Sequence, residues 1–405
     1  MKIRIAIFTI ISLVILLLAL VTGFTLLWRL FLLALFTLFA GFLWAFLGIR
    51  GIEGQAERLP PRYQVGDTIN EEIVLTNKSR LPKLLVQLQE NTSLPAQNKI
   101  SALNLPALGS SSLHKNVYCA HRGQYSLGSF TVSISDPFGL FQTTRSIGQP
   151  QNILICPATV DLPYFEPLSH YDPGRGTGRW LASKASTNVA SVREYTTGDS
   201  LRYLHWHSTA HTGKLMVKVF DPDRSGRTAN NVWIVLDMDR SAHLGDSDQN
   251  TEEYSVTLAA SLIKKYIYSG WPVGLLASGD QPYLFPPGLG DQHFWQMQTA
   301  LGLMKATGKV SIDQLVSSES GRFGIHSLVI VISPSHSERL ASSLRQVTNH
   351  GSIVVAVLFD TASFGESNRP GNITPTLTSN GVQVHTISRG KDLARALDSR
   401  TLLRI

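Results

Sequence analysis

Two short constellations hold side chains suited to chemistry. The first runs from Val192 to Phe220 and gathers Arg193, Glu194, Asp199, Arg202, His205, Trp206 and Lys214, with glycines at 198 and 213. Inside it, His205-Trp206-His207 is followed by His211, three imidazoles of the kind zinc takes. No cysteine lies nearby to complete a tetrahedral set, and Ser208 has no Gly-x-Ser-x-Gly elbow around it. The stretch therefore reads as non-enzymatic, with a hydrolase built on the three histidines as the competing reading. The second constellation, Asp237-Met238-Asp239-Arg240-Ser241, follows directly on the apolar run Val232 to Leu236. Its hard oxygen ligands suit Mg²⁺ or Ca²⁺. The later strand candidate that ends Ile332-Ser333-Pro334 adds no carboxylate to that shell.

Local signals position these residues. Arg193-Glu194-Tyr195 leads into a turn at Thr197-Gly198-Asp199. A short helical or irregular segment carries Leu201 to Trp206, and Thr212-Gly213-Lys214 turns the chain into a strand from Leu215 to Phe220. Two roles fit the charges. Arg193, Glu194, Asp199 and Arg202 form either a buried ion-pair network with Trp206 as its apolar anchor, or a surface that docks a partner.

The N-terminus sets the compartment. From Ile5 to Ile49 the only charged residue is Arg29, and a single helix of that length would extend about 68 Å, roughly twice the hydrocarbon core. Two transmembrane helices over residues 1–50, joined near Thr22 to Arg29, fit better. A cleavable signal peptide is the alternative, but no small-residue cleavage site follows the first run. Lys2 and Arg4 precede the first span, and Arg50, Arg58 and Arg62 follow the second, so the basic residues put both ends in the cytoplasm. A chain with two cysteines, Cys119 and Cys156, has no disulfide framework, in keeping with an inner-membrane protein whose soluble domains face the cytoplasm. The net charge of +7 is unevenly spread: 22 Lys/Arg oppose 14 Asp/Glu before residue 231, and 14 oppose 15 after it. Such an excess suits the lipid bilayer, whose anionic leaflet attracts it. Without basic runs interleaved with aromatics, nucleic acid is not an expected partner.

Beyond Pro60-Pro61 the texture becomes that of short strands: Ile69 to Asn77, Leu84 to Gln89, Leu113 to Cys119, Gly128 to Ile134 and Asn152 to Cys156. Residues 56–157 are expected to form an immunoglobulin-like β-sandwich. Within it, Asp136-Pro137-Phe138-Gly139 reads as a turn anchored by Phe138 and Phe141. Residues 158–230 form a linker plus the charged stretch. Its glycine-rich run Tyr171 to Trp180 lacks the Gly-Lys-Ser/Thr of a phosphate loop and reads as a surface loop. Residues 231–405 alternate strands and helices and imply a doubly wound α/β domain. Asn250 with Glu253, and Ser335 with Glu338, are expected helix-capping pairs.

The string Arg193-Glu194-Tyr195, Gly198-Asp199, Arg202, His205-Trp206, Ala210 and Thr212-Gly213-Lys214-Leu215 resembles the hallmark of the prokaryotic family called domain of unknown function 58. His121 to Tyr125, Asp136 to Phe141 and the order of the whole chain add to the likeness. Asp237, Asp239 and Ser241 also resemble the metal-ion-dependent adhesion motif of von Willebrand factor A domains, with Asp239 where that motif has serine. The resemblance implies two transmembrane helices, an immunoglobulin-like sandwich and a von Willebrand A-like domain of Rossmann type. It also implies a scaffold or adaptor acting with a MoxR-type AAA+ ATPase and other proteins, in complex assembly or maturation. The alternative is a metal-dependent adhesion or ligand-binding protein whose domains face outward.

Overall fold

The computed structural model of the chain describes residues 2–58, 62–94, 100–166, 189–195, 204–220, 231–245, 249–365 and 371–400. It divides into two compact units, Met1–Ala158 and Thr159–Ile405. The glycine-rich run 171–180 lies outside the described residues.

The first unit begins with two apolar helices, α1 (Lys2–Thr22) and α2 (Thr25–Gly48). They break at Gly23, whose φ of 63° is a left-handed value that glycine adopts without strain. Most of their large side chains face outward, as a pair meant for lipid requires. Arg29, expected in the connecting turn, lies inside the first turns of α2.

Ten strands follow: β1 (Ile52–Arg58), β2 (Tyr63–Gln64), β3 (Thr68–Asn77), β4 (Lys83–Asn91), β5 (Ile100–Leu105), β6 (Ser110–Tyr118), β7 (Gly123–Leu127), β8 (Ser129–Ser135), β9 (Gln142–Ile147) and β10 (Gln151–Cys156). They order as β1-β3-β6, β2-β10-β7 and β5-β4-β8-β9, antiparallel except where β10 meets β2. Alternation along β3 turns Ile69, Ile73 and Leu75 inward. Ile73 and Leu75 meet Val86, Leu88, Phe130 and Val132 of the facing sheet, which makes the unit a sandwich. The body starts earlier than residue 56, because Ile49 and Ile52 already belong to its core. Gly54 lies close to the core: a Cβ there would sit 2.5 Å from Ile147 Cδ1 and 2.8 Å from Leu75 Cδ2, so those side chains would have to shift.

The turn after β8 is held by Asp136, whose carboxylate accepts from the backbone N–H of Phe138 and Phe141. Phe141 packs edge-on against Phe42 of α2 at 5.9 Å. Phe138 does not anchor the turn as expected; it is 63% exposed.

In the second unit, β11 (Val189–Glu194) pairs antiparallel with β12 (Met216–Phe220), and α3 (Trp206–Thr212) lies between them in sequence. The α/β domain comprises β13 (Val232–Leu236), α4 (Thr251–Tyr268), β14 (Val273–Ser278), β15 (Pro282–Gly288), α5 (Asp291–Leu303), α6 (Ile312–Glu319), β16 (Leu328–Ser333), α7 (Glu338–Asn349), β17 (Ile353–Phe359), α8 (Thr374–Ser379), β18 (Gln383–Ile387) and α9 (Leu393–Ala396). Its sheet runs β15-β14-β13-β16-β17-β18, parallel except for β15. β13 and β16 are buried along their whole length, which matches their unbroken apolar sequences. Two core clusters form, one joining Ile234 and Ile330 to α4 and α5, the other joining Val235 and Val331 to α6 and α7. The sheet is therefore covered on both faces.

Asn250 caps α4 as expected, accepting from Glu253 N–H at 2.7 Å. For α7 the cap is Ser337, which accepts from Arg339 N–H, rather than Ser335. A larger correction concerns the linker. Its first residues, Thr159 to Glu166, pack onto the α/β domain: Leu162 and Phe165 enter its core, and Lys265 Nζ donates to the carbonyls of both at 2.6 Å. Phe165 lies against the ring of His385, and Val160 N–H donates to Ser261 Oγ.

Candidate functional site

The strand order reverses at β13. Its neighbours are β14 on one side and β16 on the other, so connections leave in opposite directions and open a crevice at the strands' carboxyl ends. Asp237 follows β13, and Ser333 closes β16. Asp237, bonded to Ser333, lines a cavity of about 390 Å³ whose lining is mainly polar. Asp239, Asp313, Ser335, His336 and Arg339 also line it.

Asp237 is 1% exposed and fully engaged. Its Oδ2 accepts from Ser333 Oγ at 2.5 Å, and its Oδ1 accepts from Asp239 N–H at 3.1 Å. Burial pushes its carboxyl up to about 6, against the downward pull of these two hydrogen bonds and with added repulsion from Asp239 and Asp313. Asp239 is half-buried and accepts from Ser241 N–H through Oδ1. Consecutive bonds of this kind coil the 237–241 segment into a compact turn.

Two residues that sequence reasoning missed hold that turn. His243 bonds the carbonyl of Asp237 through Nε2 at 2.9 Å and Thr251 Oγ1 through Nδ1 at 3.1 Å. Gly308 donates to Met238 O and accepts from Arg240 N–H, making a parallel bridge with Asp239. A Cβ on Gly308 would stand 2.1 Å from Ser278 O and 2.8 Å from Met238 O, so only glycine lets the chain approach this closely. Asp313 was missed along with α6. The signal was present, since Ile312, Leu315 and Val316 make a short apolar stripe behind Ser311, and all three are buried.

The donor set does not suit a resident Mg²⁺ or Ca²⁺. Both carboxylate oxygens of Asp237 already accept hydrogen bonds, from Ser333 Oγ and Asp239 N–H. The strand end that should add a carboxylate provides Ser333 instead. Among the described residues, no group of three or more His, Cys, Asp or Glu is placed to hold a metal ion. That includes His205, His207 and His211. His205 caps α3, accepting from Ser208 N–H through Nδ1, and its ring lies 6.2 Å from that of His207.

The charged stretch is a separate feature. Tyr195 N–H donates to Leu215 O, and His205 N–H to Met216 O, tying both ends of the insert to the β12 side. Gly213 ends α3 at φ 70°. Glu194 pairs with Lys214 at 3.1 Å, and Arg193 Nη1 donates to Glu194 O. Arg193, Glu194 and Lys214 are exposed. Trp206, the apolar anchor in the buried-network reading, is 69% exposed. Gly198, Asp199 and Arg202 lie outside the described residues.

Two apolar N-terminal helices, a sheet-rich body and a polar crevice at strand ends define a helix-anchored, multidomain protein. Residues 191–363 match the pattern of the family described as "Protein of unknown function DUF58". It is similar to "Uncharacterized protein YeaD" of Bacillus subtilis (strain 168), at 25% identity over 298 residues covering 71% of each chain. Among solved structures it resembles the CARDB domain of PF1109 from Pyrococcus furiosus, at 12% identity over 24% of this chain and 93% of that one, with a TM-score of 0.19. It also resembles proximal thread matrix protein 1 from the mussel byssus, at 11% identity over 43% of this chain and 46% of that one, with a TM-score of 0.31.

Proposed function

We propose that this chain is a non-enzymatic, membrane-anchored scaffold whose α/β domain, of von Willebrand A-like type, presents the crevice at its strand ends to a protein partner. The observation that carries the reading is the meeting of Asp239, Asp313 and Arg339 around one polar cavity at the point where the strand order reverses. Charges of both signs on a rigid rim suit recognition of a complementary polar side chain on a partner. The exposed indole of Trp206, with His207 and His211 on the same short helix, offers a second contact. A MoxR-type AAA+ ATPase is the partner that the family resemblance implies, acting in complex assembly or maturation. In this reading the ATPase drives the work while the chain supplies anchorage and the docking face. The basic residues flanking α1 and α2 favour domains that face the cytoplasm, where such an ATPase resides.

Affinity purification from detergent-solubilised native membranes, with a non-hydrolysable ATP analogue, tests this. Wild type is compared with Asp239→Asn, Arg339→Glu and Trp206→Ala, each checked for an unchanged melting temperature. Recovery of an AAA+ ATPase that is lost in the two crevice variants supports the crevice as docking face. Loss confined to Trp206→Ala moves the contact to α3. No ATPase with any form overturns the partnership, and a C-terminal topology reporter that reads outside the cell overturns it as well.

A further inference from the structure

The first unit holds a second cavity, unlike the polar crevice. It is an apolar groove of about 300 Å³ between the last two turns of α2 and the start of β4. Ala40, Leu43, Trp44 and Leu47 form one wall, and Leu81 and Leu84 the other. That volume is at the small end of ligand sites. At its base Lys83, 4% exposed, donates through Nζ to Leu47 O at 2.7 Å and so caps the carboxyl end of α2. The side chain thereby ties the helix to the sandwich.

The opposite lip is built to expose leucine. The pairing of β4 with β5 slips between Lys83 and Val86, a bulge that turns both Leu84 and Leu85 outward. Leu84 is 51% and Leu85 70% exposed, and Leu85 takes a φ of 52°, an unfavourable value for a leucine. Its N–H is held by Asn104 Oδ1. The preceding loop is equally fixed, because buried Asn77 donates to Leu81 O and Pro106 O and accepts from Ser79 N–H. A strained, rigid lip that shows leucines to water has a cost with no return in a soluble domain. Against a bilayer the same lip is stabilising.

The groove is also continuous with the membrane-facing surface. Its α2 wall extends an apolar run that begins at Thr25, and 24 helical residues are longer than the hydrocarbon core needs. Arg50 and Arg80, both exposed, stand beside the lining residues in sequence, while nearby Lys78 is paired with Glu53. We propose that this groove seats an acyl chain of an anionic phospholipid, with Leu84 and Leu85 immersed beside α2 and Arg50 and Arg80 holding the headgroup phosphate. The inference rests on α1 and α2 spanning a bilayer and is independent of the ATPase partnership.

Spin labelling of the full chain in lipid nanodiscs tests the immersion. Both native cysteines are buried, so Leu84→Cys and Leu85→Cys can be labelled selectively. Phe36→Cys on α2 serves as the lipid-facing reference, and Ile325→Cys as the water-facing one. Both lip labels should collide with oxygen in preference to a polar nickel chelate, as at Phe36→Cys. A preference for the chelate at both positions, as at Ile325→Cys, would overturn the proposal and leave the groove to a water-borne protein partner. The headgroup is tested by native mass spectrometry of protein extracted from phosphatidylcholine–phosphatidylglycerol nanodiscs. Retained phosphatidylglycerol should fall about fivefold for each of Arg50→Gln and Arg80→Gln. Equal retention of both lipids by wild type and variants would overturn the headgroup assignment.

Discussion

Ser333 Oγ donates to Asp237 Oδ2 at 2.5 Å and so joins the carboxyl ends of two adjacent parallel strands, 96 residues apart in sequence. The bond gives a carboxylate that is 1% exposed a hydrogen-bond partner on the neighbouring strand. It also marks where this site departs from a metal centre: a serine hydroxyl occupies the place of the further carboxylate.

The first consequence concerns pH. The folded Asp237 carboxyl titrates near 6, above its ordinary value of 3.8, so the folded state binds the proton more tightly than the unfolded state. Its contribution to stability is full below about pH 4, declines as pH rises to about 6, and is lost above that. Asp237→Asn removes the penalty of ionising a buried group. The variant should be more stable at pH 7.5, by on the order of 1–3 kcal/mol, and should match wild type near pH 4. Thermal unfolding of the full chain in detergent at the two pH values checks this. A variant destabilised equally at both would show that the ionised carboxylate is needed.

Gly308 sets the path of the turn beneath Asp239. Gly308→Ala should destabilise the α/β domain by about 1–3 kcal/mol, because the new methyl group meets backbone oxygens that cannot rotate away. A melting temperature within a degree of wild type would show that the 237–241 turn has room to shift.

Phe165 should matter far from its place in a connecting segment. It is 1% exposed within the α/β core, and Phe165→Ala should cost about 3–5 kcal/mol. Limited proteolysis ahead of β13 should then accelerate, since the clasp that Lys265 makes with the 162 and 165 carbonyls loses its apolar support. Unchanged cleavage would mean the segment is held by its polar contacts alone.

Cys119 and Cys156 should be inert in the folded protein. Both are buried, and burial pushes the Cys119 thiol up to about 11 and raises that of Cys156. Maleimide at pH 8 should label neither natively and both after denaturation, as read by intact mass. Native labelling of either would place that thiol at the surface.

Trp206 should be dispensable for folding. With 69% of its surface exposed, Trp206→Ala should change stability by less than about 0.5 kcal/mol. A larger loss, by thermal unfolding, would mean the indole is packed in the folded protein.

Much of the architecture was legible because it is written in local periodicity. The alternation in Ile69 to Asn77 announced β3, and the five unbroken apolar residues of Val232 to Leu236 announced a central strand. Elements that were missed carry weaker patterns. β1 reads Ile-Glu-Gly-Gln-Ala-Glu-Arg and is a strand because β3 pairs with it along its full length. α6 spans eight residues, too short for its stripe to stand out, yet it brings Asp313 to the crevice. Trp206 could be read as an anchor or as part of a docking surface, and its 69% exposure could not be read from the sequence because burial depends on what lies opposite.

By itself the sequence determined the two apolar helices, the strand-rich middle and the alternation of strands and helices that follows. Each of these depends on residues a few positions apart, where side-chain periodicity and chain breaks act directly. Tertiary structure alone decided that β13 lies between β14 and β16, and with it that Ser333, Asp313 and Gly308 meet the 237–241 turn. Those partners stand some 70 to 100 positions from Asp237, and strand order, not local pattern, brings them together.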